Sequence, residues 1–372
     1  MSACSSSGPS AWIASAGAAS GSSKILRTDR EKRSGGWVVF ISVSAVSWRR
    51  CRTNATNWYA AKTKPPTTVA VEIRAKAIWS SAGIASLPRF QDDAPMPRVA
   101  AGDVELYYES LGEGTPMVLQ AHDHTPWLFG QAPVFSQRYR FLTYDRRGTG
   151  RSSSPPGDWS AEDLSDDLAG LLDALEIEKA IVGGSSLGGV VTAQFAVDHP
   201  GRALALVIGH TVPYVDAEGR AWLEEEIVTA RAGRPPIVRQ PRSGPDEEEG
   251  PLTTDPEFAA SAWGKMMAAA GTGLGRTADE RARAIAVLRD WDQRPRKEDF
   301  AKIRVPTLLI VGERESRSTI AGAREWASWI PGAEFLVLAG AHHAAPREAA
   351  PAWNAAVQGF LDRHGLGGQS RR

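Results

Sequence analysis

The chain has 372 residues, 42% hydrophobic and 23% charged, with 43 Lys and Arg balanced by 43 Asp and Glu. The apolar share is enough for a full core, no apolar run reaches the roughly 18 residues of a spanning helix, and zero net charge argues against a general nucleic-acid binder. Two cysteines leave no disulfide framework and no cysteine-built zinc site.

The average hides two pieces. Residues 1–95 carry 13 Lys and Arg against 5 Asp and Glu, and hold both cysteines, Cys4 and Cys51. Residues 96–372 carry 30 against 38, and hold all seven histidines. The first 23 residues are uncharged and mostly Ser, Ala and Gly, and seven basic residues with no acidic one run from Lys32 to Val71. Such biased composition cannot easily bury a core, so residues 1–95 are expected to be a disordered or non-native extension. The favoured origin is translated upstream sequence with the true start at Met96. A removable targeting segment and an ordered extension stay as alternatives; the first lacks a charged n-region with a clean apolar core behind it.

From Met96 onward strands and helices alternate. Val104–Tyr108, Met117–Ala121 and Arg140–Tyr144 read as strands. Ser160 caps a helix whose apolar positions Leu164, Leu168, Leu171, Leu172 and Leu175 keep helical spacing, with Asp163 completing a weak capping box. Lys179–Val182 is a strand running into a glycine-rich turn, and a helix follows to about Val197. Leu204–Gly209, Thr307–Val311 and Glu334–Leu338 are further strands, and a last helix spans about Arg347–Arg363. This alternation implies an α/β protein with a mostly parallel central sheet and helices on both faces. Residues 96–211 and 301–372 form that core. Residues 212–300 form a helical cap, with helices over Ala217–Ala230, Pro256–Ala269 and Thr277–Trp291. The acidic run Asp246–Glu249 reads as a solvated loop.

The chemistry starts at Ser186. Gly184-Ser185-Ser186-Leu187-Gly188 matches G-x-S-x-G directly after a strand and before a helix. A turn that tight needs glycine on both sides, and it lifts the serine hydroxyl clear of the sheet edge. The helix behind it aims the Leu187 N–H at a developing oxyanion. Serine is inert without a base, which should be a histidine late in the chain. Ala339-Gly340-Ala341-His342-His343 follows the last strand.

These features resemble the α/β-hydrolase superfamily, in its serine-nucleophile, capped esterase and lactonase branch. The resemblance covers about residues 98–365 and carries the α/β-hydrolase fold with it. The family's "GAGH" loop implies that the catalytic imidazole is His343, with His342 satisfied locally. Its acid follows the strand after the cap as "GExD". Here Gly312-Glu313-Arg314-Glu315 puts Glu315 in that place, with Glu313 and Asp216 as runners-up. The order Ser186, Glu315, His343 is the order this fold expects. The family's His-Gly-x oxyanion loop reads His122-Asp123-His124, so the second oxyanion donor is expected at His124. Trp127 and Ser185, next to these groups, are expected to bind substrate. Tyr144-Asp145-Arg146-Arg147-Gly148-Thr149-Gly150-Arg151-Ser152 matches the family's "DxRGxGxS" turn, and His199-Pro200 is a helix stop.

The implied function is hydrolysis of a small carboxylic ester or lactone through an acyl-enzyme, an enol-lactonase being one candidate. C–C bond hydrolysis, cofactor-free haloperoxidation and a non-catalytic receptor of the same fold stay as alternatives. No cofactor and no metal are expected, since His122-Asp123-His124 lacks further ligands nearby. The expected partner is a small-molecule substrate, with no nucleic acid and no membrane, in the cytoplasm; oligomeric state is open.

Overall fold

The computed structural model describes residues 11–12, 27–28, 97–121, 124–234, 256–261, 264–265, 275–315 and 319–368. It divides into two compact units, Met1–Ala94 and Pro95–Arg372. In the first, the described residues are two short strands, Ala11–Trp12 and Arg27–Thr28, paired antiparallel. The extension reading otherwise falls outside the described residues.

The second unit is built on an eight-stranded sheet. Its strands are β1 (Arg98–Ala101), β2 (Val104–Leu111), β3 (Pro116–Gln120), β4 (Arg140–Tyr144), β5 (Ala180–Ser185), β6 (Ala203–Gly209), β7 (Thr307–Gly312) and β8 (Glu334–Leu338). Their spatial order is β8-β7-β6-β5-β3-β4-β2-β1. β1 and β2 pair antiparallel, β2 joins β4 antiparallel, and every other pairing is parallel. Sequence reading missed β1, which is four residues long with only Ala101 buried, and so carries no buried run to betray it.

Alternation along the strands splits the core in two. Val118, Leu142, Val182, Leu206 and Leu309 face one layer, and Met117, Phe141, Ile181, Val207 and Ile310 face the other. The first layer is covered by α2 (Ala161–Ala174), α3 (Leu187–Asp198) and α6 (Ile320–Trp329). The second is covered by α7 (Ala350–Arg363) through Trp353, Val357, Phe360 and Leu361, together with the short helix α1 (Thr125–Gly130). Central strands buried on both faces explain their unbroken apolar runs.

Helix α2 starts as its sequence implies. Ser160 Oγ accepts from the Asp163 N–H at 3.1 Å, and the Asp163 carboxylate accepts from the Ser160 N–H at 2.8 Å. Leu164, Leu168, Leu171 and Leu172 are all fully buried, each contributing about 1.5–3 kcal/mol of transfer free energy. A buried bidentate pair, Arg147 to Asp167 at 2.7 and 2.6 Å, ties the turn after β4 to this helix. The last helix is shorter than its apolar pattern: a separate turn over Ala345–Glu348 precedes α7. Pro351 has no N–H to give to a turn running through Ala349 and fits the start of a new helix instead.

Between β6 and β7 lie α4 (Ala217–Arg231) and α5 (Ala278–Asp290), which pack against each other through Leu223, Ile227 and Ala230 on one side and Ala282 and Ile285 on the other. Asp216 caps α4, and Thr277 with Glu280 forms a capping box on α5. Of the helix expected over Pro256–Ala269, Pro256–Ala260 is helical, and part of the rest lies outside the described residues, as does Asp246–Glu249. No helix among the described residues is long and apolar enough to cross a membrane.

Candidate active site

The site is assembled at the carboxyl ends of β5, β6, β7 and β8. β5 ends at Ser185, and Ser186 turns the chain sharply with φ +58° and ψ −119° before α3 begins at Leu187. A non-glycine residue at positive φ is strained and persists only where its surroundings enforce it. Close packing enforces it here. A Cβ on Gly188 would run into the Gln120 carbonyl oxygen, with the carbonyl carbon at 2.6 Å and Ala121 Cα at 3.0 Å. Only glycine lets α3 approach β3 so closely. Leu187 is the first residue of α3, so its N–H has no acceptor within the helix.

The four loops are knitted by backbone hydrogen bonds. The Ser186 N–H donates to Gly209 O at 2.9 Å, the His210 N–H to Ile310 O at 2.8 Å, the Glu313 N–H to Leu338 O at 2.9 Å, and the Arg314 N–H to Ala341 O at 2.9 Å. β5 and β6 each pass their neighbour one more bond beyond their formal ends, and the loop after β7 passes two.

Glu315 sits on this frame with its side chain 1% exposed. Its Oε1 lies 2.7 Å from His343 Nδ1 and its Oε2 lies 3.1 Å from His210 Nδ1. Burial pushes the Glu315 carboxyl up, but the two imidazoles outweigh it, His343 foremost, and hold it well below the ordinary 4.5. An ionised carboxylate only accepts, so both imidazoles present Nδ1–H to it. That leaves Nε2 of His343 as a lone-pair acceptor. The two rings meet edge to face, with centroids 6.0 Å apart.

Ser186, His210 and His343 line one cavity of about 330 Å³. Trp222 and Leu223 of α4, Leu288 of α5, and Trp291 are part of its wall, together with Tyr214, Asp216, Thr319 and Glu325. The wall is therefore mixed, with aromatic and apolar groups on the side of α4 and α5 and the carboxylates of Asp216 and Glu325 among its polar members.

Of the candidate residues, the structure brings Ser186 and His343 to this cavity and pairs His343 with Glu315. Of the runners-up, Asp216 also lines this cavity, but neither it nor Glu313 is paired with His343 as Glu315 is. Glu313 accepts from the Gly340 N–H at 2.7 Å, and Asp216 accepts from the Gly219 N–H at 2.8 Å at the start of α4. His342 is buried, and its N–H donates to Glu348 at 2.5 Å. His199 ends α3 and lies 3.0 Å from Asp166, as a helix stop would.

Three expectations need correction. The His124 N–H is not presented to the cavity: it donates to Asp145 Oδ1 at 3.0 Å, and the His124 ring Nδ1 meets the same oxygen at 2.7 Å. Asp145 is fully buried and collects the Arg151 N–H at 2.8 Å as well, so the carboxylate consumes the amide that the oxyanion reading assigned to His124. His122 and Asp123 lie outside the described residues. Trp127 is 1% exposed and its ring packs tilted against Trp353 in the core, with centroids 5.6 Å apart, because α1 turns it inward under the sheet. Ser185 remains in β5, paired in register with Gly209, and is not part of the cavity wall.

Sequence reading missed His210. Its signal was its place directly after β6, at the carboxyl end of a strand, where α/β proteins bind ligands. Among the described residues no group of three His, Cys, Asp or Glu stands close enough to hold a metal ion.

Comparison with known proteins agrees with this architecture. RutD of Azorhizobium caulinodans is 36% identical over 115 residues, 30% of this chain and 43% of RutD, so the match spans less than half of that relative. The 3-oxoadipate enol-lactonase 2 of Acinetobacter baylyi is 26% identical over 270 residues, 71% of this chain and 96% of that protein. The crystal structure of the enol-lactonase from Burkholderia xenovorans LB400 superposes with a TM-score of 0.58 at 26% identity, covering 72% of this chain and all of that one. Residues 114–357 match the family model described as the alpha/beta hydrolase family, and with the sheet order and the elbow at Ser186 this assigns the chain to the alpha/beta hydrolase family.

Proposed function

We propose that the chain is a serine hydrolase that cleaves a small carboxylic ester or lactone through a Ser186–His343–Glu315 triad. The observation that carries this reading is the 2.7 Å contact of His343 Nδ1 with buried Glu315, on the same cavity that the strained Ser186 lines. Two relatives similar over nearly their whole length are named as enol-lactonases, which supports the lactone side of it.

In this mechanism Ser186 Oγ attacks the substrate carbonyl carbon while His343 Nε2 takes its proton. Glu315 holds the tautomer that makes Nε2 the acceptor and stabilises the imidazolium that forms; it does not take the proton. The Leu187 N–H supplies one donor to the tetrahedral oxyanion, strengthened by the amino end of α3. The imidazolium then passes its proton to the leaving alkoxide, which departs. Water, deprotonated by His343, attacks the acyl-Ser186 ester and releases the acid. Helices α4 and α5 with Trp222 and Trp291 would choose the substrate by shape.

A fluorophosphonate probe tests this directly, because it needs an activated serine and not the right substrate. It should label Ser186 alone, and Ser186→Ala and His343→Ala should each abolish labelling, while His342→Ala keeps most of it. A folded wild-type protein that resists the probe would overturn the reading. A screen of p-nitrophenyl esters of rising chain length, with lactones beside them, then sets the substrate class.

A further inference from the structure

We infer that Tyr214 and Glu325 form a recognition pair in the cavity wall, which reads a hydrogen-bond donor, a hydroxyl or an ammonium group, on the substrate. This rests on the serine-hydrolase reading above and narrows its substrate class to hydroxy or amino esters and lactones.

Helix α6 places Glu325 by its period. Ala323, Trp326 and Trp329 turn one flank of the helix into the core, each 5% exposed or less. Ala321, Gly322 and Glu325, spaced three and four residues apart, come up together on the flank that lines the cavity. Alanine and glycine bring no polar side-chain atom, so the carboxylate gives this flank its chemistry.

Tyr214 comes from the other side. Its segment runs against the residues after α5: Tyr214 bridges antiparallel to Asp292, the Val215 N–H donates to Trp291 O at 3.2 Å, and the Gln293 N–H donates to Pro213 O at 2.8 Å. The Arg294 guanidinium lies over the Tyr214 ring, 4.6 Å from its centroid. The Tyr214 hydroxyl then donates to Glu325 Oε2 at 3.2 Å.

Counting donors and acceptors decides what the pair can bind. A phenol has one proton, and here it goes to Glu325, whose charge and hydrogen bond push the hydroxyl above its usual 10 and keep that proton on it. The Tyr214 oxygen is left as an acceptor. Glu325 accepts only, and Tyr214 is its one hydrogen-bond partner among the described residues. Arg294 is committed to Asp292, with Nε at 2.9 and 3.1 Å from the two carboxylate oxygens. The pair therefore offers acceptors, on the same cavity as Ser186 and His343. An incoming O–H or N–H is matched there. An alkyl group in its place leaves the acceptors unpaired, and a carboxylate is repelled.

Phenyl acetates with one meta substituent test this, each rate being divided by the rate with hydroxide to remove ring electronics. Hydroxymethyl, aminomethyl and ethyl groups are nearly equal in size, and only the first two donate. A matching set of phenyl benzoates carries the same groups on the acid side. Glu325 is exposed, so the gain belongs at the low end for a charged acceptor. In one of the two sets, kcat/KM for the hydroxymethyl ester should exceed that for the ethyl ester by about 10-fold, and the aminomethyl ester should do at least as well. Glu325→Ala should bring both ratios close to one, and Tyr214→Phe should reduce them, with circular dichroism confirming the fold. An active wild type that treats hydroxymethyl and ethyl esters alike in both sets overturns the proposal, as do ratios that survive Glu325→Ala. A preference for the aminomethyl ester alone, abolished by high salt, reports net charge and overturns it too. A wild type that hydrolyses none of the esters and resists the fluorophosphonate overturns the hydrolase reading, and this proposal with it.

Discussion

Replacing Glu315 by glutamine changes one oxygen to an amide and leaves the shape nearly intact. Two imidazole Nδ1–H groups, at 2.7 and 3.1 Å, then compete for a single acceptor, and the new NH2 faces the other ring. One histidine must move its proton to Nε2. For His210 that puts an N–H in a fully buried place with no partner, at a cost of about 1–3 kcal/mol. For His343 the moved proton faces the cavity, where water can accept it. The balance therefore flips His343, by a factor of roughly 5 to 150 in population, since 1.4 kcal/mol is tenfold. A flipped His343 presents a proton to Ser186 and cannot accept one. Loss of the negative charge beside the imidazolium adds to this, and kcat should fall by about 10³ to 10⁴ in all, the scale of a wrong-tautomer triad. Turnover of p-nitrophenyl esters measures it, with circular dichroism confirming the fold. A glutamine variant that keeps more than about a tenth of wild-type kcat would refute the tautomer reasoning and move the orienting acid elsewhere.

Other consequences are open to measurement. Gly188→Ala brings a Cβ within 2.6 Å of the Gln120 carbonyl carbon, a backbone atom that cannot swing aside, so α3 must shift by about 1 Å. Stability should fall by about 1–3 kcal/mol and kcat by about 100-fold, while unaltered turnover would show that the elbow yields freely. Asp145→Asn replaces an acceptor of three donors and should lower thermal stability at neutral pH by about 1–3 kcal/mol. Burial raises the Asp145 carboxyl, but His124 and Arg151 outweigh it and hold it below the ordinary 3.8. The stabilisation is thus present above that value and lost as pH falls through the lower folded value, so the gap between the variants should close only below about pH 4; a gap that closes between pH 7 and 5 contradicts the assignment. Removal of residues 1–95 should leave ester turnover unchanged, and loss of folded protein would show that the extension belongs to the domain.

The core was legible because its strands are buried on both faces and its helices on one, which writes unbroken apolar runs and a 3.6-residue period into the text. Leu164, Leu168, Leu171 and Leu172 are an example. The elbow at Ser186 was legible through local spacing around glycine, and the place of Glu315 in the loop after β7 through the family resemblance of Gly312–Glu315. What failed was anything decided by where a polar group finds its partner. Whether the His124 amide faces a substrate or Asp145 depends on a residue 21 positions away. Trp127 gave no sign of its direction, since a six-residue helix is too short to show a period. His210 meets Glu315 across 105 positions, and only the sheet brings them together.

The backbone bonds that continue β5, β6 and β7 past their ends have a bearing on how such a protein can diversify. The proposed reacting groups ride on an extension of the sheet, while part of the wall they face comes from α4 and α5, which pack on each other, α5 reaching the core through Ala284 and Val287 as well. Trp222 and Leu288, on that wall, take no part in those backbone bonds. A lineage could therefore explore new substrates at little risk to its chemistry, and a directed-evolution library confined to these two helices would search specificity space while holding the turnover machinery fixed.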